Sequence, residues 1–225
     1  MSWDDWIRTV EVEPSLYAAD FARLGEQVEI LLRAGTRIFH FDIGDGHFVE
    51  PITMGPIVLQ SIAPLVHREQ GVFDCHLMVD NPAHHFEALR AAGADSVTFH
   101  LEAVADTAAV ATQAREHGFA VGLSIKPETP VEDAVAFAEH FDLVLCMSIH
   151  PGYSGQAFMP EALDRLRALR AGLPAGVHLQ VDGGITYENA RSVYEAGADL
   201  IVCGSAIFGM EDLPRAYRRL VQQLA

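Results

Sequence analysis

The segment Ala92-Gly93-Ala94-Asp95-Ser96-Val97 decides the fold, because nearly the same pattern recurs at two other places in the chain. Those places are Arg33-Ala34-Gly35-Thr36-Arg37-Ile38 and Ala196-Gly197-Ala198-Asp199-Leu200-Ile201. In each segment a glycine can end a helix, and an apolar strand-like run follows after a short turn. The pattern predicts successive βα units.

Eight apolar, β-branched runs are predicted to be strands, with amphipathic segments between them. They are residues 12–16, 38–43, 73–79, 96–101, 120–125, 143–149, 177–181 and 200–203. Eight parallel strands alternating with helices favour a closed (β/α)₈ TIM barrel in a chain of 225 residues. A doubly wound open sheet is the alternative, but no G-x-G-x-x-G motif follows the first strand.

The first predicted crossover helix runs from Asp20, which can cap it, to Ala34, and Gly35 ends it. Its apolar face consists of Phe21, Leu24, Val28 and Leu31. No linker or charge block divides the chain, so we expect a single domain over residues 1–225. Residues 1–11 form an N-terminal extension, whose two tryptophans we expect to cover the barrel's bottom or a subunit contact.

Composition limits the possible partners. Thirty-one acidic and 15 basic side chains leave a formal charge of −16, which repels polyanions and excludes nucleic acid or an anionic membrane as a partner. The acidic N-terminus is unlike a secretory signal, and the longest nearly apolar run, residues 200–210, is too short to cross a bilayer. We therefore expect a cytoplasmic protein. Cys75, Cys146 and Cys203 lie in apolar segments and are interpreted as buried thiols.

Polar side chains recur at the C-terminal ends of the predicted strands, where barrels carry their chemistry. His40 and Asp42 lie on one face of the second strand, His76 lies on the third, and Asp182 ends the seventh. Two imidazoles and two carboxylates could share one divalent cation, and zinc, iron(II), manganese and cobalt all fit. The alternative for each residue is a structural role as a buried pair or a turn. His100 and Glu102 end the fourth strand, next to this group.

Three glycine-containing loops follow the last three strands. They are residues 150–156, 182–184 and 203–206. Glycine lets the backbone approach a ligand closely, and barrels commonly bind phosphate in the loops after strands seven and eight. None of the three loops contains Lys or Arg, so a phosphate would be held by backbone amides and Ser205. Alternatively, the glycines serve only tight turns.

Several motifs together resemble the ribulose-phosphate 3-epimerase family over nearly the whole chain after Val12. They are Pro14-Ser15-Leu16, Ala19-Asp20-Phe21-Ala22-Arg23-Leu24, Asp45-Gly46-His47-Phe48-Val49, His76-Leu77-Met78, Pro151-Gly152-Tyr153-Ser154-Gly155-Gln156, Val181-Asp182-Gly183-Gly184 and Gly204-Ser205-Ala206. The resemblance implies a ribulose-phosphate-binding barrel that interconverts D-ribulose 5-phosphate and D-xylulose 5-phosphate with one divalent metal. It makes His40, Asp42, His76 and Asp182 the metal ligands.

The same resemblance assigns the remaining roles. Asp42 and Asp182 become the acid/base pair that inverts C3 through an enediolate, with Met78 and Met147 above the reacting carbons. The substrate, a small phosphorylated sugar, is contacted by Ser15, His76, Gly152, Tyr153, Ser154, Gly155, Gly183, Gly184, Gly204 and Ser205. We also expect a homo-oligomer.

The chain departs from the family pattern at several positions. Gly44 replaces the usual Met, Glu50-Pro51 replaces Pro-Asn, and Tyr17 replaces Leu. The phosphate loop reads His-Pro-Gly-Tyr-Ser-Gly in place of Asn-Pro-Gly-Phe-Gly-Gly. We expect Gly44 to open space beside the substrate and Tyr17 to reshape the same wall. A related ketose phosphate such as D-allulose 6-phosphate is therefore the alternative substrate.

Two other function classes are considered. A Schiff-base aldolase needs a strand-end lysine, and the single lysine of the chain, Lys126, ends the fifth predicted strand. A non-catalytic phosphosugar-binding barrel would bind the ligand without exchanging its C3 hydrogen. The Asp-x-Lys-x-x-Asp run of related decarboxylases and synthases is absent from the second strand, which reads His40-Phe41-Asp42.

Overall fold

The computed structural model describes residues 3–224, and within them eight parallel strands form a barrel. The strands are β1 (Glu11–Pro14), β2 (Ile38–Gly44), β3 (Val72–Met78), β4 (Ser96–His100), β5 (Ala120–Ile125), β6 (Leu143–Met147), β7 (His178–Asp182) and β8 (Leu200–Cys203). The ladder runs β1-β8-β7-β6-β5-β4-β3-β2. A parallel bridge between Ser15 and His40 joins the two edge strands. The predicted TIM barrel is confirmed.

Helices surround the strands. They are α1 (Trp3–Trp6), α2 (Leu24–Ala34), α3 (Pro56–Arg68), α4 (Phe86–Ala92), α5 (Thr107–Glu116), α6 (Val131–Val135), α7 (Ala162–Gly172), α8 (Ala190–Glu195), α9 (Ser205–Phe208) and α10 (Leu213–Leu224). Gly35 and Gly93 end α2 and α4 with φ of 108° and 101°, a backbone region in which glycine has no Cβ penalty. The repeated segments therefore form the predicted helix-to-strand junctions.

The start of the first crossover helix differs from the prediction. A short 3₁₀ turn, Phe21–Arg23, precedes α2, and the carboxylate of Asp20 accepts a hydrogen bond from Ala22 N in that turn. Leu24, Val28 and Leu31 are buried as expected, but Phe21 is 51% exposed. The expectation that Phe21 belongs to the buried face was wrong, because the 3₁₀ turn rotates it away from the face that α2 presents to the barrel.

Side chains alternate along each strand between the barrel interior and the layer of helices. In β2, Phe39 and Phe41 belong to the apolar core that packs with the helices, whereas His40 contacts the side chains of Glu13 and Asp74. One face of β2 thus packs against the helices, and the other face carries polar side chains inside the barrel.

The N-terminal end of the barrel is filled by α1. Trp3 and Trp6 are 1% and 4% exposed, and they form one apolar cluster with the first residues of strands β2, β3, β5, β6 and β8, namely Ile38, Val72, Ala120, Leu143 and Leu200. The two tryptophans therefore cover the barrel's bottom, which is one of the two positions expected from the sequence.

All three cysteines are buried free thiols, as interpreted from the sequence. Among the helices of residues 3–224, none combines the length and the apolar character needed to cross a membrane.

Candidate metal centre and substrate pocket

Four side chains from β2, β3 and β7 converge inside the C-terminal end of the barrel. The potential ligand atoms of His40, Asp42, His76 and Asp182 all lie within 4.8 Å of one another. Asp42 is central: its Oδ1 is 3.3 Å from His40 Nε2 and 3.2 Å from His76 Nδ1. The structure therefore brings together all four residues that the sequence singled out as a possible metal site.

The environment of His40 fits a cation. Its Nδ1 is 3.0 Å from Asp74 Oδ2, which can only accept a hydrogen bond when ionised, so Nδ1 carries the proton. Its Nε2 is buried, faces Asp42 and makes no hydrogen bond. Burial opposes the charged form, yet the charge of Asp42 and the bond to Asp74 raise the pKa of His40 well above its ordinary value. A metal ion would take the place of the proton on Nε2.

Asp74 lies at the centre of a buried polar network below the four side chains. It accepts hydrogen bonds from Ser96 Oγ at 2.8 Å, Thr98 Oγ1 at 3.2 Å and Gln180 Nε2 at 2.8 Å. Gln180 Nε2 also donates to Glu13 at 2.6 Å. The sequence reading did not single out these residues, although a signal was present: Asp74 and Gln180 lie two positions before His76 and Asp182, on the same strand face.

The two acids at the pocket have pKa values shifted in opposite directions. Burial would raise the pKa of Asp42, but the nearby charges of His40 and His76 and the hydrogen bond from His76 outweigh burial and lower the pKa. Burial and the neighbouring charge of Asp42 raise the pKa of Asp182 to about 6. Asp42 is thus ionised near pH 7, whereas its neighbour Asp182 holds a proton more easily.

A pocket opens above Asp42 and Asp182. It is lined by the predicted substrate residues Ser15, Gly152, Tyr153, Ser154, Gly155, Gly183, Gly184, Gly204 and Ser205, and also by Tyr17, Met78, Met147, Ile149, Ile185 and Val202. Ser15 Oγ donates a 2.7 Å hydrogen bond to Asp42 Oδ2. His76, the tenth predicted substrate residue, contacts Asp42 from below but does not line the pocket.

Gly44 does not open space beside the pocket, and that expectation was wrong. A Cβ at this position would lie 2.9 Å from Pro51 O and 2.9 Å from Val49 Cγ2. The missing side chain makes room for residues 49–53, which fold back against β2. Thr53 Oγ1 accepts from Gly44 N at 2.7 Å and donates to Asp42 O at 2.8 Å, so this loop supports the backbone of Asp42.

The other departures and Lys126 have distinct positions. Tyr17 lines the pocket. The hydroxyl of Tyr153 donates a 2.9 Å hydrogen bond to Glu50 Oε2, so two departures from the family pattern contact each other. Lys126 does not line the pocket, and its Nζ lies 3.9 Å from the centroid of the Phe48 ring. That position gives the aldolase alternative no support.

His100 and Glu102 extend the cluster away from the pocket. His100 Nε2 is 2.9 Å from His76 Nε2, and His100 Nδ1 is 3.1 Å from Glu102 Oε2. Burial lowers the pKa of His100 to about 4 against the opposing influence of Glu102. His100 is therefore neutral near pH 7.

The fold and this site define a class: a TIM barrel with carboxylates and imidazoles at its mouth. Solved structures of similar fold include KGPDC from Streptococcus mutans, with a TM-score of 0.72, 11% identity and coverage of 96% of this chain and 98% of that chain. The 3-hexulose-6-phosphate synthase from Salmonella typhimurium has a TM-score of 0.71, 16% identity and the same coverage. At these identities the likeness concerns the fold alone.

Sequence comparison gives the family. A model described as the ribulose-phosphate 3 epimerase family matches residues 11–208. The ribulose-phosphate 3-epimerase of Schizosaccharomyces pombe is 40% identical over 198 residues, covering 88% of this chain and 86% of that protein. The enzyme of the same name from Mycobacterium tuberculosis H37Rv is 40% identical over 215 residues, covering 94% and 92%. The chain belongs to the ribulose-phosphate 3-epimerase family and is an isomerase-class enzyme.

Proposed function

We propose that this protein inverts C3 of D-ribulose 5-phosphate to give D-xylulose 5-phosphate, with one divalent metal held by His40, Asp42, His76 and Asp182. The observation that carries the proposal is the pair of carboxylates, Asp42 and Asp182, which line one pocket and reach it from different strands, β2 and β7. Membership of the epimerase family supports the reaction type.

Inversion at a carbon next to a ketone needs two proton-transfer groups. One removes the C3 proton from one face of the sugar, and the other delivers a proton to the opposite face. Asp42 and Asp182 come from β2 and β7, strands that are separated by β1 and β8 around the barrel, so they approach the substrate from different sides. The two acids exchange roles with the direction of the reaction.

The surrounding residues assist this transfer. Ser15 donates to Asp42 Oδ2, which keeps one oxygen occupied and orients the carboxylate. Met78 and Met147 line the pocket and limit the access of water to the reacting carbons. A bound divalent cation supplies electrostatic stabilisation of the negative charge that develops on the C2 oxygen.

The phosphate would be held without basic side chains. No Lys or Arg is among the residues that line the pocket in the described part of the chain. Backbone N–H groups of Gly183, Gly184, Gly204 and Ser205, together with residues 152–155, are the available donors. Membership of the ribulose-phosphate 3 epimerase family supports a sugar phosphate as ligand.

A test of the reaction follows C3 hydrogen exchange in deuterated water with a panel of ketose phosphates that includes D-allulose 6-phosphate. We expect the metal-loaded enzyme to epimerise D-ribulose 5-phosphate with the highest kcat/KM. A preference for D-allulose 6-phosphate would identify the alternative substrate. Binding without C3 exchange would indicate a binding barrel, and a borohydride-trapped adduct would indicate an aldolase.

The two acids can be assigned separately. Asp42→Asn and Asp182→Asn should each lower kcat by about 10²–10⁴-fold, because each removes one proton-transfer group. At saturating metal, each variant should still exchange the C3 hydrogen slowly in the one epimer whose proton faces the remaining carboxylate. Asp80→Asn, an exposed carboxylate outside the pocket, is the control. Wild-type turnover by either pocket variant would refute the assigned role.

We also propose that residues 1–225 form one domain and that the protein is a homo-oligomer. The continuous barrel from β1 to β8 supports the first proposal.

Ile52 and Ile57 are 83% and 80% exposed beside the start of α3, and this apolar surface would be covered by a second copy in a homo-oligomer. Sedimentation of wild type and of a variant with both residues changed to Ser tests the second proposal, which fails if wild type sediments as a monomer.

A further inference from the structure

A chain of three side chains leads from the proposed metal site to Glu102. His76 Nε2 is 2.9 Å from His100 Nε2, and His100 Nδ1 is 3.1 Å from Glu102 Oε2. Both histidines are fully buried. No water therefore competes for these nitrogens, and the chain must satisfy its own donors and acceptors.

The protons in this chain can be assigned by their partners. An ionised carboxylate only accepts, so His100 Nδ1 carries a proton when it bonds to Glu102. A contact between two Nε2 atoms holds one proton, and a neutral His100 with Nδ1–H has a free lone pair on Nε2. The shared proton then belongs to His76 Nε2. His76 Nδ1 faces Asp42 Oδ1 at 3.2 Å, so a proton on Nδ1 is donated to that carboxylate, and a metal ion would take the place of this proton as it would at His40 Nε2.

We propose that Glu102 is a positioning residue that acts through His100 to hold His76 in the tautomer whose Nδ1 can bind a metal. This inference rests on the proposed metal site. A similar arrangement exists at His40, where Asp74 contacts Nδ1 directly and Nε2 faces the site. At His76 the carboxylate acts through one additional imidazole, that of His100. Carboxylates that orient ligating histidines are a general feature of metal sites.

Glu102 is itself fixed by contacts from outside the cluster. Its Oε1 accepts a 2.8 Å hydrogen bond from Lys126 N and another from the Thr129 hydroxyl. The Phe48 ring packs against the His100 ring with 4.8 Å between their centroids. Residues that follow β2 and β5 therefore hold the two members of the chain that lie beyond His76.

Glu102→Gln is the sharpest test, because the fixed contacts decide how the amide is oriented. The backbone N–H of Lys126 can only donate, so the amide oxygen occupies the Oε1 position and the NH₂ group faces His100 Nδ1. His100 Nδ1 must then accept, His100 Nε2–H donates to His76 Nε2, and the only proton of His76 is on Nδ1. A nearly isosteric substitution therefore leaves His76 with its single proton on the nitrogen that would bind the metal.

Two measurements follow this change. Nitrogen-15 NMR of the metal-free protein reports which histidine nitrogens are protonated, and we expect a protonated Nε2 for His76 in wild type and an unprotonated Nε2 in Glu102→Gln. Titration with Co²⁺, followed by its visible absorption, reports metal affinity, and we expect binding at least about tenfold weaker in the variant. Glu128→Gln is the matched control, because Glu128 pairs with His150 at 2.8 Å on the exposed surface.

The two measurements separate this inference from the proposed function. A wild-type protein that binds no Co²⁺ refutes the proposed metal site. The protonation of His76 in the wild-type spectrum still tests whether Glu102 controls His76 through His100. An unprotonated Nε2 of His76 in wild type overturns the inference. So does a folded Glu102→Gln protein that binds Co²⁺ as tightly as the Glu128→Gln control. If Glu102→Gln does not fold, the inference is tested on the wild-type spectrum and on Thr129→Val. Thr129→Val keeps the carboxylate of Glu102, so His76 should keep its proton on Nε2.

Discussion

At the residue scale, Gly44 has a steric role at the end of β2. Gly44→Ala would place a methyl group 2.9 Å from both Pro51 O and Val49 Cγ2. We expect the free energy of unfolding to fall by about 1–3 kcal/mol, as for overpacked sites, and kcat to fall because the displaced loop carries Thr53 away from Asp42 O. Chemical denaturation and steady-state kinetics measure the two effects.

Gly55→Ala provides the control for this prediction. Gly55 precedes α3 on the same loop, and a Cβ there meets no atom within 4 Å. Ala is a poorer N-cap than Gly but restricts the unfolded chain more, and because these effects oppose each other the variant should differ from wild type by less than about 1 kcal/mol. Equal stability and activity of the two alanine variants would contradict the steric role of Gly44.

Single positions were predictable where a local rule applies. The two-residue period of a strand placed His40 and Asp42 on one face, and the barrel rule directed attention to strand ends, which was enough to find His76 and Asp182. Asp74 follows the same period but contacts Gln180 from a distant strand, and that contact exists only once the barrel is assembled. Gly44 was misread because its neighbours come from a loop whose path the sequence does not specify.

At the scale of elements, two loops meet over the pocket. The β2 loop, residues 45–55, and the β6 loop, residues 148–161, are joined by the hydrogen bond from Tyr153 to Glu50. Both side chains are exposed, so water competes for the bond and its net contribution is small. We expect the contact to restrict the loop that carries the proposed phosphate donors.

Tyr153→Phe and Glu50→Gln test this loop contact. Each variant should raise KM by about two- to fivefold with little change in kcat, corresponding to a hydrogen bond of about 0.5–1 kcal/mol. The double variant should be no worse than either single variant, because both remove the same bond. Tyr194→Phe, on α8 outside the pocket, is the control. Additive effects in the double variant would contradict the coupling.

The elements themselves were largely predictable. Strand boundaries agree within two residues because β-branched runs and glycine junctions mark them. The 3₁₀ turn at Phe21 was not predicted, since Asp20 can cap a 3₁₀ turn or an α-helix with the same side-chain bond. The Tyr153–Glu50 contact was also missed, although both positions had been noted as departures from the family pattern.

At the scale of the whole molecule, the proposed metal site lies next to the weakest seam of the barrel. The edge strands β1 and β2 meet through the Ser15–His40 bridge, and side-chain contacts from Ser15 to Asp42 and from Glu13 to His40 cross the same seam. A metal held by residues of β2, β3 and β7 would tie both sides of this seam together.

Removing the metal should therefore lower global stability. At free metal about a thousandfold above Kd, binding to the folded state adds about 4 kcal/mol, which chelation removes. We expect a lower Tm for the stripped protein and faster amide hydrogen exchange in β1 and β2 than in β5. His40→Ala, which lacks one proposed ligand, should respond weakly to chelator. An unchanged Tm on stripping wild type would contradict this role.

The buried network around Asp74 has a further consequence for how this barrel tolerates change. Glu13, His40, Asp74 and Gln180 occupy an interior that hydrophobic side chains could fill with equal or greater stability. The molecule keeps polar groups there. The free energy gained by burying the phenylalanine-rich layer outside the strands offsets the cost of desolvating these polar groups. Selection for heat resistance alone would replace this interior with aliphatic residues, and the rigid support beneath the pocket would disappear with it.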